Sequence, residues 1–365
     1  MTCYKSNAWN VMKENPDFSV HEVANAFLCF PSVETIPTLG NGHINDTFLA
    51  TDENTGTQIV LQRINTHVFR EPEKVVENHL TIYNHLTLQP SGLKLLQPIV
   101  NQSGDYLYKD IHGNAWRAVK YIPDTFAIES ASSTDIIYPA AKILGLYLRE
   151  LSTLSAEKLY DTIPNFHNSI LRTRALSYAV KWGIPERIKE AKKEIQWIRE
   201  HQSIFIKITR LSLPFRAVHN DAKIGNILFD KSSGQACAVI DWDTTMRGSV
   251  LSDFGDMVRT ISTTTAEDDP NLSAVYVDYQ RFEALTSGWL DGAGSILTSV
   301  ERENLLLGAH WLILEQAIRF LGDYLVGDKY YKIKYPDHNL VRAKNQLKLF
   351  QSLLEQETEL KKLIL

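Results

Sequence analysis

Apolar residues recur with two different periods along this chain, and the change falls near residue 133. The first amphipathic segment opens at Ser19-Val20-His21-Glu22, a capping-box pattern, and sets Val20, Val23, Ala24 and Phe27 on one helical face. Strand patterns follow. Thr47-Phe48-Leu49-Ala50 and Ile59-Val60-Leu61-Gln62 flank Glu53-Asn54-Thr55-Gly56, which predicts a hairpin. Residues 74–86 read as a helix, and further strands are expected at Leu95–Val100, Tyr106–Lys109 and Trp116–Ile122. These make a small lobe of about five strands with one inserted helix.

From Ser133 the helical period takes over. Ile136, Ala140, Ile143, Leu144, Tyr147 and Leu151 keep the i, i+3/i+4 rule over four turns. More helices are expected at 168–181, 186–208, 301–322 and 340–363. Residues 215–243 break this rhythm with two short apolar strands, Ile227-Leu228-Phe229 and Ala238-Val239-Ile240. The pattern predicts an α+β chain of two lobes. Residues 1–123 form a β-rich lobe with an antiparallel sheet, and residues 124–365 form a larger helical lobe with an embedded hairpin. Their hinge is expected at Lys120–Pro123. The outline is that of a protein-kinase-like fold.

Composition narrows the class. The 365 residues are 44% hydrophobic and 22% charged, values of an ordinary globular protein able to bury a core. A net charge of −5 argues against nucleic-acid or anionic-membrane partners, which require a positive surface. Cys3, Cys29 and Cys237 form no CxxC pair and no metal spacing, as expected of reduced thiols in the cytoplasm. The first nineteen residues lack an apolar signal core, and no run of about 18 apolar residues occurs. The expectation is a soluble cytoplasmic protein, monomeric or weakly self-associating.

The chemistry concentrates in Val218-His219-Asn220-Asp221-Ala222-Lys223-Ile224-Gly225-Asn226 and in Ile240-Asp241-Trp242-Asp243. H-x-D, a Lys two positions on and an Asn five after the Asp match a phosphoryl-transfer loop. Such a loop needs a carboxylate for the proton of the attacking hydroxyl, plus an Asn oxygen and a second carboxylate to hold Mg²⁺ against phosphates. Asp221 fits the base, and Asn226 and Asp241 fit the metal ligands. Lys223 fits the cation that meets the transferred phosphate. An H-x-D triplet or a strand-end Asp alone would more often be structural; the joint spacing carries the functional reading. Asp253-Phe254-Gly255 spells a kinase metal-binding triplet but follows no apolar strand, so Asp253 is expected to be a helix N-cap that also braces the loop.

In the first lobe, Gly40-Asn41-Gly42-His43 lies between strand candidates, where glycines let backbone N–H groups approach phosphates. Gly40, Gly42 and His43 are therefore candidates for nucleotide contact. Strand alternation puts Gln62 where a kinase carries its phosphate-binding Lys, so that cation is missing or replaced. Glu77 reads as either its carboxylate partner or a solvated helical residue. Further on, Glu315, Arg319 and Asp323 recur every four residues on a strongly apolar helix. They form either an internal ion-pair ladder or a binding surface for vicinal hydroxyls, with Tyr330 and Tyr331 nearby.

These residues resemble the aminoglycoside phosphotransferase/choline kinase superfamily, through H-N-D-A-K-I-G-N and I-D-W-D. Within it the chain is most similar to the N-acetylhexosamine 1-kinases. That closer similarity lies in Gly42–Asn45, Leu61-Gln62, Ile240–Arg259, Arg319–Leu325, Gly327-Asp328, Tyr330 and Lys334–Arg342. The resemblance implies ATP- and Mg²⁺-dependent transfer to a sugar O1, with Asp221 contacting the anomeric hydroxyl and Arg319 and Tyr330 binding the sugar. A kinase for another small acceptor (aminoglycoside, choline, homoserine or plain hexose) and an inactive nucleotide-binding scaffold are the alternatives.

Overall fold

The computed structural model describes residues 16–35, 44–89, 92–130 and 133–365. By internal packing the chain divides into two units, Met1–Glu77 with Leu96–Pro123, and Asn78–Leu95 with Asp124–Leu365.

The first unit holds α1 (Pro16–Phe27), β1 (Pro31–Thr35), β2 (Asp46–Asp52) and β3 (Gln58–Ile64). Next comes α2 (Pro72–Leu86), whose residues from Asn78 onward belong to the second unit. The strands β4 (Pro98–Ile99), β5 (Tyr108–Lys109) and β6 (Ala115–Lys120) complete it. The sheet runs β1-β2-β3-β6-β4, with β5 also on β6, and all its pairings are antiparallel. It has one strand more than expected. The addition is β1, which carries a single apolar residue, Val33, between polar neighbours. The helix α1 starts three residues before the serine-headed pattern, at a proline, which has no N–H to leave unpaired in a first turn. Its face of Val20, Val23, Ala24 and Phe27 packs on Ala50, Ile59, Leu61, Trp116 and Ala118 of the sheet. This is the face that the periodicity predicts.

The second unit opens with β7 (Thr125–Ala127), α3 (Thr134–Leu151), α4 (Ser169–Trp182), α5 (Pro185–Glu190), α6 (Lys192–His201) and α7 (Ser203–Arg210). It continues through β8 (Arg216–Val218), β9 (Ile227–Asp230), β10 (Ala236–Val239), β11 (Met246–Gly248) and α8 (Val250–Ile261). The last elements are α9 (Tyr279–Ala293), α10 (Ser299–Glu303), α11 (Leu305–Leu325), α12 (His338–Glu355) and α13 (Glu357–Lys362). Two small sheets, β10-β9-β7 and β11-β8, are set among the helices. The chain is thus α+β, with an antiparallel sheet in the first unit and a mostly helical remainder.

The helix α11 is long and apolar enough to pass for a membrane span, but 78% of its 18-residue window is buried in the protein. It is a core helix, packed on α8, α12 and α4. Its contact with α8 is backbone to backbone. A Cβ on Gly255 would lie 2.3 Å from the Gly308 carbonyl oxygen, and one on Gly308 would lie 2.4 Å from that of Leu251. Only glycine fits at this crossing, which brings α8 and α11 together. The expected single helix over 186–208 is three pieces, and the segments at 301–322 and 340–363 are each two.

Candidate active site

The strand β8 delivers the chain to His219 while pairing Val218 with Met246 of β11. Asn220 then takes a left-handed conformation, φ +62°, which asparagine tolerates better than most residues. Almost every polar group of this turn is held. The Asp253 carboxylate accepts the backbone N–H groups of His219 and Asn220, each at 2.7 Å. The Asn220 side-chain amide donates to the Thr244 carbonyl at 3.0 Å, and the Thr244 hydroxyl donates to the His219 carbonyl at 2.8 Å. The His219 ring is fully buried and lies between the Ile240 carbonyl, 2.9 Å from Nε2, and the Asp221 N–H, 3.3 Å from Nδ1. These partners set its tautomer, with Nε2 donating and Nδ1 accepting. Asp253 is 0% exposed, and burial pushes its carboxyl up to about 6 despite the two N–H donors. Asp253 braces the loop from inside α8; the expected N-cap role falls instead to Ser249, whose hydroxyl accepts the Leu251 N–H at 3.2 Å.

The turn leaves Asp221 partly exposed, with 26% of its side chain accessible. Its Oδ2 accepts from Lys223 Nζ at 2.7 Å and from Asn226 Nδ2 at 3.0 Å. Burial raises this carboxyl, but the Lys223 ammonium, the His219 ring and the Asn226 amide outweigh it and hold it below the usual carboxylate range. For Lys223, burial works against the charge and Asp221 and Asp241 more than restore it, so the ammonium is held above its ordinary range. Asn226 also donates to the Asp221 carbonyl at 2.8 Å, which commits its NH₂ end and leaves its carbonyl oxygen to face a cation.

Asp241 reaches the same edge through the hairpin. Val239 pairs with Ile227, and the Ile240 N–H donates to the Asn226 carbonyl at 2.9 Å. Asp241 then turns left-handed at φ +61°. Trp242, which separates the two aspartates, is core: its Nε1 donates to the Val239 carbonyl at 2.8 Å and its ring packs on Tyr147 and His79. An amide oxygen beside a carboxylate is a hard oxygen donor set, suited to Mg²⁺, which takes its remaining ligands from water and phosphate.

On α11 the ion-pair ladder does not form. Glu315 instead holds His167 Nδ1 at 3.0 Å, the Ser169 hydroxyl at 2.5 Å and Trp311 Nε1 at 3.0 Å. Asp323 accepts the backbone N–H groups of Lys329, Tyr330 and Tyr331 at 2.8 to 2.9 Å, and Asn339 Nδ2 at 3.1 Å. It thereby fixes the segment that presents Tyr330, which is 59% exposed. Arg319 donates to Gln316 at 3.1 Å and lies within 6.0 Å of the rings of Phe166, Tyr330 and Tyr331. Burial opposes its charge, but the field of Tyr331, Tyr330 and Glu315 holds the guanidinium above its ordinary range.

In the first unit, Gln62 pairs across strands with Arg117, whose Nε and Nη2 donate to the Gln62 amide oxygen at 3.0 and 2.8 Å. A cation thus stands beside Gln62 on the neighbouring strand, a pairing that only register reveals. Glu77 is exposed on α2. Gly40, Gly42 and His43 lie outside the described residues. The sequence reading passed over His167 and Thr244, because neither belongs to a spaced motif.

Solved structures share this fold. A spectinomycin phosphotransferase, in complex with ADP and spectinomycin, is 13% identical with a TM-score of 0.60, over 92% of this chain and 98% of that one. A microcompartment-associated aminopropanol kinase is 15% identical with a TM-score of 0.56, over 94% and 98%. A choline/ethanolamine kinase family protein from Mesorhizobium loti is 16% identical with a TM-score of 0.56, over 91% and 92%. These are protein-kinase-like folds. The model of the phosphotransferase enzyme family matches residues 35–289, from the first sheet through the loop, the hairpin and α8 into α9, and this chain belongs to that family.

Proposed function

We propose that this phosphotransferase moves the γ-phosphate of ATP to the anomeric hydroxyl of an N-acetylhexosamine, N-acetylglucosamine or N-acetylgalactosamine. The observation that carries the reading is the edge where Asp221, Lys223, Asn226 and Asp241 meet. In this role Asp221 accepts the proton of the attacking hydroxyl. Asn226 and Asp241 would hold Mg²⁺, which when bound neutralises charge on the phosphates. Lys223 pairs with Asp221 at 2.7 Å in the free protein. When Lys223 turns to an incoming phosphate, Asp221 loses its nearest cation and becomes the stronger base. Catalysis then rests mainly on positioning and charge, as a loose phosphoryl transition state requires.

ATP as donor draws support from the relative solved with ADP. Arg117 supplies a cation beside Gln62 in the first unit, where phosphates need one. Charge supports this acceptor class. Relatives include kinases named for aminopropanol and for choline or ethanolamine, which are cationic at neutral pH. Here Arg319 stands near a second guanidinium, Arg172, whose pKa is lowered first by burial and then by Arg319. Two cations beside exposed tyrosine repel an amine, whereas they suit the hydroxyls and acetamido oxygen of a neutral sugar. Arg319 and Tyr330 are assigned to sugar binding on that ground and on the resemblance.

The test is coupled ADP release with Mg-ATP against N-acetylglucosamine, N-acetylgalactosamine, glucose, galactose, choline, homoserine and kanamycin. Turnover on the first two, with an acid-labile anomeric phosphate as product, is expected. Turnover confined to choline or kanamycin would overturn the acceptor assignment.

A further inference from the structure

The catalytic turn has one more anchor, a histidine that is itself held by α11. His167 lies just ahead of α4, with 12% of its side chain exposed. Its Nε2 is 3.0 Å from the Asn220 carbonyl oxygen, and its Nδ1 is 3.0 Å from Glu315 Oε1. A carbonyl oxygen and a carboxylate oxygen are both acceptors, so both ring nitrogens must donate. The other Glu315 oxygen takes the Ser169 hydroxyl and Trp311 Nε1, as a carboxylate does. We propose that His167 is a doubly protonated positioning residue, whose imidazolium ties the Asn220 carbonyl of the catalytic turn to Glu315, one helical turn before Arg319.

The consequence is geometric. Asn220 holds an uncommon left-handed conformation, its N–H is taken by Asp253 and its side chain by Thr244. His167 takes its carbonyl, the group that begins the peptide leading into Asp221. The helix that carries Arg319 and the turn that aims Asp221 are therefore held at one distance by one cation. Glu315 on α11 favours the imidazolium, while Arg319 on the same helix opposes it. Asp253 on α8 senses the same charge, and Phe166 and Trp311 supply only ring contacts. Burial works against the cation, and Glu315 with the Asn220 carbonyl more than offsets it. The ring therefore keeps its second proton above pH 6.5 and releases it as pH rises further.

This inference rests on Asp221 as the base, so Asp221→Asn is assayed beside it. The experiment records ring ¹⁵N shifts of histidine-labelled protein across pH, with His167 assigned by its loss in His167→Gln, and kcat against pH with Mg-ATP and N-acetylglucosamine. Both His167 nitrogens should be protonated at pH 6.5. The wild-type kcat should fall on the alkaline side as the ring titrates, and His167→Gln should lack that limb. Because Gln retains one donor and loses the charged bond, its kcat should drop about 10- to 100-fold with KM for ATP unchanged. A neutral His167 ring at pH 6.5 overturns the proposal, as does unchanged kcat in His167→Gln while Asp221→Asn is inactive. Full activity in Asp221→Asn instead removes the base assignment itself. Should His167→Gln fail to fold, the ring titration decides, assigned with Glu315→Gln, which must lower the His167 pKa.

Discussion

Replacing Asp253 by asparagine separates what its charge does from what its shape does. The carboxyl is fully buried and titrates near 6 in the folded protein, against 3.8 ordinarily. A raised carboxyl stabilises the fold fully below pH 3.8 and loses that contribution as pH rises through about 6. At about 1.4 kcal/mol per pKa unit, the rise is worth about 3 kcal/mol. Asparagine cannot titrate, so the stability of wild type relative to Asp253→Asn should fall by about 2 kcal/mol between pH 4 and 7, read by urea unfolding at each pH. Shape enters through the two 2.7 Å bonds to His219 and Asn220. The amide keeps one acceptor and turns its NH₂ toward the other backbone N–H. Losing one charge-assisted bond of about 1.5 kcal/mol at the turn should lower kcat about tenfold at pH 8. A stability difference independent of pH, or an unaltered kcat, would refute the assignment of Asp253 as the brace of the catalytic turn.

Further outcomes follow from the same geometry. Asp241→Asn should cut kcat on the order of 100-fold or more and raise the Mg²⁺ concentration for half-maximal rate, since several kcal/mol of charge stabilisation depend on that ligand; an unchanged Mg²⁺ titration would contradict the role. Arg319→Lys should raise KM for N-acetylglucosamine about tenfold or more without moving KM for ATP, because an ammonium replaces a planar fork. Equal effects on both constants would place Arg319 outside the acceptor site. Gly308→Ala forces a Cβ to within 2.4 Å of the Leu251 carbonyl and should destabilise the chain by about 1–3 kcal/mol or more in chemical denaturation. Wild-type stability in that variant would contradict the close α8–α11 crossing.

Much of this fold was legible because long periodic segments report their partners directly. The face of α1, the β2–β3 hairpin and α3 all follow from spacing that burial then uses. The helix α9 was not anticipated, and its Gly288 and Gly292 are poor helix formers. They serve close packing instead, since a Cβ on either would meet the α3 backbone at 2.3 Å. The strands β8 and β11 are three residues each, too short for any period to show. At the site, Asp221, Lys223, Asn226 and Asp241 stood out because a short loop and one hairpin fix their spacing. His167 and Glu315 are 148 positions apart and meet only through the packing of α11, so no local pattern could join them. The same holds for Arg117, which reaches Gln62 through strand register. The stripe of Glu315, Arg319 and Asp323 had the spacing of a ladder, yet each carboxylate is drawn to better donors nearby.

The most direct test of the account is turnover of Mg-ATP and N-acetylglucosamine by Asp221→Asn, with nucleotide binding measured on the same sample. Asparagine preserves the size of the side chain and removes the proton acceptor. The account predicts a loss of about 10²- to 10⁴-fold in kcat with ATP affinity retained. Turnover close to wild type would contradict it, since the carboxylate held by Lys223 and Asn226 would then have no part in the transfer.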